Sequence, residues 1–93
     1  MRDYIVYSEN KIVKAPDKWN CNEASTLPCA ALTAWRTIVT EGKISNKSTV
    51  LVQGLGGVSI FAIQIAKLFN ANVIATTSSN KRVELAKNSV LIM

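Results

Sequence analysis

Thr49-Val50-Leu51-Val52-Gln53-Gly54-Leu55-Gly56-Gly57-Val58-Ser59 is the stretch on which the reading of this chain turns. Residues 49–53 are a short, nearly continuous apolar run, the pattern of a strand buried on both faces. Gly54-Leu55-Gly56-Gly57 interrupts the run. Over residues 58–69 the spacing becomes helical, with Val58, Phe61, Ala62, Ile65 and Phe69 on one face. Ile60 and Ile63 widen that face, so the helix is expected to be covered on more than one side. Asn70-Ala71-Asn72 turns the chain, and Val73-Ile74-Ala75-Thr76-Thr77 reads as a second strand. Ser78 or Ser79 can cap a last helix that runs to about Lys87. Strand, glycine loop, helix, strand and helix make a βαβ unit, whose two strands lie parallel. A membrane-spanning reading of residues 50–66 is disfavoured by three glycines in its first half and by Lys67 just after it.

Gly54-x-Gly56-Gly57-x-Ser59 is a GxGxxG/A-type loop with serine in the last small position. Each position has a mechanical reason. Gly54 permits the tight turn off the strand. Gly56 has no side chain, so a pyrophosphate can approach the backbone. Ser59 is small enough for close packing of helix on strand. The helix that follows points free N–H groups and its positive dipole end at the phosphates. A purely structural glycine turn is the plainer reading. The strand before, the helix after and the second strand at the expected distance favour a dinucleotide. The end of the second strand, Thr76-Thr77-Ser78-Ser79-Asn80-Lys81-Arg82, lacks the acid that holds an NAD ribose. Hydroxyls and two cations suit a 2′-phosphate, so NADP(H) is favoured over NAD(H).

Upstream, residues 4–7 read as a short strand and residues 11–14 as an extended piece before a turn at Pro16-Asp17. Asn20 can cap a short helical turn through Glu23. Pro28 suits the first turn of a helix over residues 29–40, with Gly42 as its stop. The chain has 93 residues, so it is one small domain or a piece of a larger one. Hydrophobic residues at 48 % and charged ones at 18 % exclude a disordered tail. With no histidine, Ser-His and Cys-His catalytic pairs within the chain are excluded. Cys21 and Cys29 are too few for a disulfide scaffold and fit a reducing, cytoplasmic compartment. The start, MRDYIVYSEN, is not a signal peptide.

The net charge of +5 lies wholly in residues 42–93. That distribution suits an anionic ligand. Nucleic acid is not expected, because no Tyr or Trp follows residue 35 to interleave with the cations.

Glu23-Ala24-Ser25-Thr26-Leu27-Pro28-Cys29-Ala30-Ala31-Leu32-Thr33-Ala34-Trp35 followed by residues 50–59 resembles the medium-chain dehydrogenase/reductase superfamily, in its zinc-type alcohol dehydrogenase-like and quinone oxidoreductase branch. The likeness covers about residues 4–87. It implies an α/β chain holding a partial Rossmann fold (βαβα) with an N-terminal strand/helix lead-in. Residues 1–41 would be the lead-in from the catalytic domain with its connecting helix, and residues 42–93 a truncated dinucleotide-binding domain. The family passes a hydride between nicotinamide and a carbonyl, alcohol, quinone or activated double bond. By resemblance Gly54, Gly56, Gly57, Val58 and Ser59 line the pyrophosphate. Thr76, Ser78, Lys81 and Arg82 surround the adenosine ribose and its 2′-phosphate, and Thr33 lies near the nicotinamide. Removing Arg82 is therefore expected to weaken NADPH binding and spare NADH.

Cys29 matches the position of a zinc ligand in the zinc-dependent branches, but one candidate ligand without histidine makes zinc unexpected. The plainer reading of Cys29 is a small buried residue at a helix start. Most of the family's catalytic domain has no counterpart before residue 1, and residues 88–93 replace the usual turn into a third strand. The chain thus looks like a fragment or truncated product, with no catalytic residues of its own and expected to be inactive alone. The alternative is a non-catalytic truncated relative that acts as an interaction module, as a homo-oligomer or paired with a full-length relative. A two-stranded sheet would leave Val50, Ile60, Ile63 and Val73 in need of partners.

Overall fold

The computed structural model describes residues 2–79, 82, 83, 91 and 92. Its centre is a parallel sheet whose strands, among the described residues, lie side by side in chain order. Strand β1 (Thr49–Gln53) pairs with β2 (Asn72–Thr76), with Val50 opposite Val73 and Val52 opposite Ala75. Helix α3 (Gly57–Leu68) makes the crossover between them, as the change from a continuous apolar run to helical spacing requires.

Two sequence expectations about the sheet are corrected. The sequence reads as a two-stranded sheet, yet β3 (Leu91–Ile92) pairs with β2, placing Ile74 opposite Leu91. A two-residue run carries too little pattern to stand out in the sequence. Strand β1 is covered on one face only: Val52 is buried, whereas Leu51 is 60 % exposed. The α3 helix packs on one side of the sheet, and alternate side chains of a strand point to opposite sides.

Before the sheet, Asn20 caps α1 (Cys21–Ala24) as expected. Its Oδ1 accepts from the Glu23 N–H at 2.9 Å while the Glu23 carboxylate accepts from the Asn20 N–H at 3.1 Å, a reciprocal capping box. A continuous helical stretch follows over residues 27–41. One α-helical turn, α2 (Leu32–Trp35), is flanked by π-helical turns at Leu27–Ala31 and Arg36–Glu41. Pro28 sits in the first turn, where a missing N–H costs nothing.

Gly42 ends this helix for a reason the sequence did not reveal. Its φ is −76°, and the left-handed residue is Lys43 at φ 47°. What Gly42 provides is space: a Cβ there would stand 2.8 Å from the carbonyl oxygens of Thr37 and Ile38. The wide final turn, closed by the Gly42 N–H on the Thr37 carbonyl at 2.9 Å, draws the backbone in that far. Gly42→Ala is therefore expected to destabilise the chain by about 1–2 kcal/mol, within the range for overpacked sites. An unchanged thermal midpoint in that variant would contradict the account.

The core lies where α3 meets the sheet on one side and the helical stretch on the other. Ala62, Ile63, Ile65 and Ala66 of α3 pack with Ala34, Ile38, Val52, Val73 and Ala75. Ala66 and Ala75 are fully buried, which lets the backbones approach closely. Trp35 meets Phe69 edge to face, with ring centroids 6.3 Å apart. Coverage of α3 on two sides matches its wide apolar face, although Val58 and Ile60 remain exposed. Of the four residues expected to need partners, Ile63 and Val73 are buried within this core, Val50 packs against it and Ile60 stays open.

Residues 4–7 do not form the expected strand. They belong to no strand, with Tyr4 and Val6 more than 90 % exposed. Residues 12–14 belong to none either, after a single 3₁₀ turn at Glu9–Lys11. β-branched and aromatic residues favour a strand only where a neighbour offers a ladder. Of the expected last helix, Arg82 and Val83 are helical, and residues 84–87 lie outside the described residues.

Candidate functional site

The glycine loop leaves the C-terminal end of β1. Gly54 adopts φ +82°, a conformation that side-chain-bearing residues rarely tolerate. Its N–H donates to the Thr76 carbonyl at 2.8 Å, so the loop begins hydrogen-bonded to the end of β2. Leu55 then turns its side chain into the core, at 5 % exposure. Gly56 is the N-cap of α3 in an extended conformation, φ −87° and ψ −174°. Any residue can adopt those angles, and a Cβ built there meets no atom within 4 Å. The protein's own packing does not require glycine at this position. A cradle left open at a helix N-terminus is what a close-approaching ligand requires.

The start of α3 has no side-chain cap and no acidic residue in its first turn. Its first N–H groups lack intrahelical acceptors, and its own first turn supplies no carboxylate to neutralise the positive end of the dipole. Gly57 faces the helical stretch: a Cβ there would lie 3.8 Å from the Ala30 Cβ. Val58 is exposed, and Ser59, the last small position, is half-buried.

At the end of β2, Thr76 is half-buried and Ser78 exposed. The Thr77 hydroxyl accepts from the Ser79 N–H at 3.1 Å, and the Arg82 N–H donates to the Ser79 carbonyl at 3.1 Å. The Arg82 side chain crosses to the glycine loop, where Nη1 donates to the Leu55 carbonyl at 3.2 Å. Lys81 lies outside the described residues. The structure thus gathers Gly54 with Thr76, and Arg82 with the loop, at the carboxyl ends of β1 and β2. Thr33 is exposed on α2, three residues beyond Ala30.

Sequence reasoning missed two participants, Ala30 and the Leu55 carbonyl. The run of small residues Cys29-Ala30-Ala31, in a helix bound to pack near a glycine loop, was the available signal for the first. A backbone carbonyl has none.

Cys29 is exposed, which corrects the expectation of a buried thiol. It lies in the π-helical turn Leu27–Ala31, whose inner side is taken by Ala30 and Ala31. Among the described residues no three His, Cys, Asp or Glu side chains converge. No helix among the described residues is long and apolar enough to cross a membrane.

No protein-family model matches the chain. Comparison with curated proteins finds a zinc-type alcohol dehydrogenase-like protein of Schizosaccharomyces pombe, 43 % identical over 86 residues, covering 90 % of this chain and 25 % of that protein. The homologues are zinc-type alcohol dehydrogenase-like proteins of the medium-chain dehydrogenase/reductase superfamily. The resemblance read from the two motifs therefore holds.

Among solved structures, a Sinorhizobium meliloti protein assigned as an alcohol dehydrogenase superposes with a TM-score of 0.88 at 43 % identity, over 95 % of this chain and 26 % of its own. The Rossmann-type α/β reading holds with it. A mycobacterial structure complexed with NADPH (TM-score 0.79, 28 % identity, 86 % of this chain, 25 % of its own) and acetophenone reductase of Geotrichum candidum in complex with NAD (TM-score 0.79, 30 % identity, 87 % of this chain, 24 % of its own) show that such relatives take either dinucleotide. The homologues are oxidoreductases of the alcohol dehydrogenase and reductase type. The chain spans about a quarter of the length of the relatives it matches.

Proposed function

We propose that this chain is the cofactor-binding portion of an NADP(H)-dependent oxidoreductase acting on carbonyl, alcohol or quinone substrates. The open cradle at Gly56, facing the uncapped start of α3, carries the reading. Gly54, Gly56, Gly57, Val58 and Ser59 would receive the pyrophosphate through backbone N–H groups. Thr76, Ser78, Lys81 and Arg82 would take the adenosine ribose and its 2′-phosphate, and Thr33 would border the nicotinamide. The absence of an acid in residues 76–82 supports NADP(H) over NAD(H), since a carboxylate would repel a 2′-phosphate. Residues 1–41 as lead-in and 42–93 as the dinucleotide-binding part belong to the same proposal, as does a cytoplasmic location for the free thiols of Cys21 and Cys29.

Titration of the chain with NADPH, followed by nicotinamide fluorescence or calorimetry, should give saturable binding tighter than that of NADH. No saturable binding of either would overturn the proposal. The chain alone should not turn over. Hydride transfer needs donor and acceptor carbons held about 3–3.5 Å apart in a closed pocket, and Thr33 alone would position the ring without strongly polarising a carbonyl. NADPH consumption above the protein-free rate with small aldehydes or quinones would contradict this.

A second reading has its own observation. An open apolar groove of about 420 Å³ between the helical stretch and α3 is lined by Leu27, Leu32, Trp35, Phe61, Ile65 and Leu68 among others. Leu68 is 77 % exposed there. Such a surface suits an interaction module, and light scattering over a wide concentration range tests it: a strict monomer would count against self-association.

A further inference from the structure

Arg82 makes a long-range side-chain contact in this structure. Its Nη1 donates to the Leu55 carbonyl across 27 residues of sequence. Among the described residues, the other side-chain hydrogen bonds stay within four residues of their partners. The carbonyl it holds belongs to the peptide unit joining Leu55 to Gly56. That unit is planar and trans, so fixing the direction of the Leu55 C=O fixes the opposite direction of the Gly56 N–H. Glycines stand on both sides of Leu55, and one of them is already at φ +82°. Glycine flanks leave a peptide plane freer to rotate than any other residue would. The buried Leu55 side chain anchors the loop from within, and Arg82 anchors its peptide plane from outside.

We propose that Arg82 is a positioning residue for the glycine loop: by holding the Leu55 carbonyl it orients the Gly56 N–H, and it thereby supports the binding of either nicotinamide dinucleotide. The inference rests on the reading that this loop receives a pyrophosphate. A guanidinium carries five N–H donors, so one can serve the loop while others meet a 2′-phosphate. Both ends of an NADPH adenosine diphosphate would then be tied through one side chain. Removing Arg82 should accordingly weaken NADH as well as NADPH, against the expectation drawn from the sequence alone.

The test uses the full chain, its Arg82→Ala variant and its Arg82→Lys variant. Wild type must first bind NADH saturably; binding of neither dinucleotide would overturn the pyrophosphate reading and this inference together. In Arg82→Ala, NADH affinity should fall about five- to tenfold, the scale of one partly solvated charged hydrogen bond, and NADPH affinity should fall further. The Gly56 amide nitrogen resonance of the cofactor-free protein, which senses hydrogen bonding to the preceding carbonyl, should move. Arg82→Lys keeps a cationic donor for a single acceptor, so NADH affinity should return to within about twofold of wild type while NADPH stays weakened. NADH affinity and the Gly56 nitrogen resonance both unchanged in Arg82→Ala, with NADPH alone weakened, would overturn the positioning role and leave the 2′-phosphate role standing.

Discussion

Gly56→Val is expected to abolish dinucleotide binding and leave the fold intact. At φ −87° and ψ −174° the backbone is already in the extended region that valine prefers, and a Cβ there touches nothing in the protein within 4 Å. The cost to folding should stay below about 1 kcal/mol, mostly the small penalty for valine in place of glycine at an N-cap. The cost to binding should be large, because the branched side chain fills the space through which a pyrophosphate would reach the α3 N–H groups. A loss of at least about 100-fold in NADPH affinity, or roughly 2.7 kcal/mol, is the expected scale. Thermal unfolding and an NADPH titration of the same preparation separate the two effects. A folded variant that keeps wild-type affinity would remove Gly56 from the site.

Gly54→Val should show the opposite pattern. A Cβ at Gly54 also meets nothing within 4 Å, yet the residue sits at φ +82°. A β-branched side chain is strained there whatever the space around it. The backbone must either hold a strained dihedral or turn away, and turning away threatens the 2.8 Å bond from the Gly54 N–H to the Thr76 carbonyl that ties the loop to β2. The expected loss is roughly 1–3 kcal/mol of stability. For a domain of this size that corresponds to about 5–20 °C in thermal midpoint. A midpoint unchanged within error would mean that the loop relaxes without strain.

The three glycines show what a sequence can and cannot reveal. All three sit at breaks in pattern, so their places were readable. Their reasons differ: Gly54 answers to a dihedral, Gly42 to a carbonyl pair 2.8 Å from its missing Cβ, and Gly56 to nothing inside the protein. Only coordinates separate these cases. At Gly42 the left-handed conformation expected of a helix-ending glycine falls instead on Lys43.

The βαβ core was legible because its periodicities are long. The strand read at residues 49–53 is observed there, the helix read at 58–69 is Gly57–Leu68, and the second strand is Asn72–Thr76. Residues 4–7 misled because a strand-forming composition says nothing about whether a partner strand lies alongside. Burial of β1 on both faces was inferred from a continuous apolar run, and Leu51 shows the limit of that inference. The π-helical turns around α2 carry no recognised sequence signature, and the Arg82 link to a backbone carbonyl joins residues too far apart to be read from spacing.

The central claim is that the start of α3 and the end of β2 together receive a dinucleotide. Backbone amide resonances of the full chain, followed during titration with NADPH, test it most directly. The account predicts saturable shifts centred on Gly56, Gly57 and Val58, extending to Thr76, Ser78 and Arg82, with Trp35 and Leu68 in the apolar groove undisturbed. Shifts absent at saturating cofactor, or confined to the groove, would contradict it.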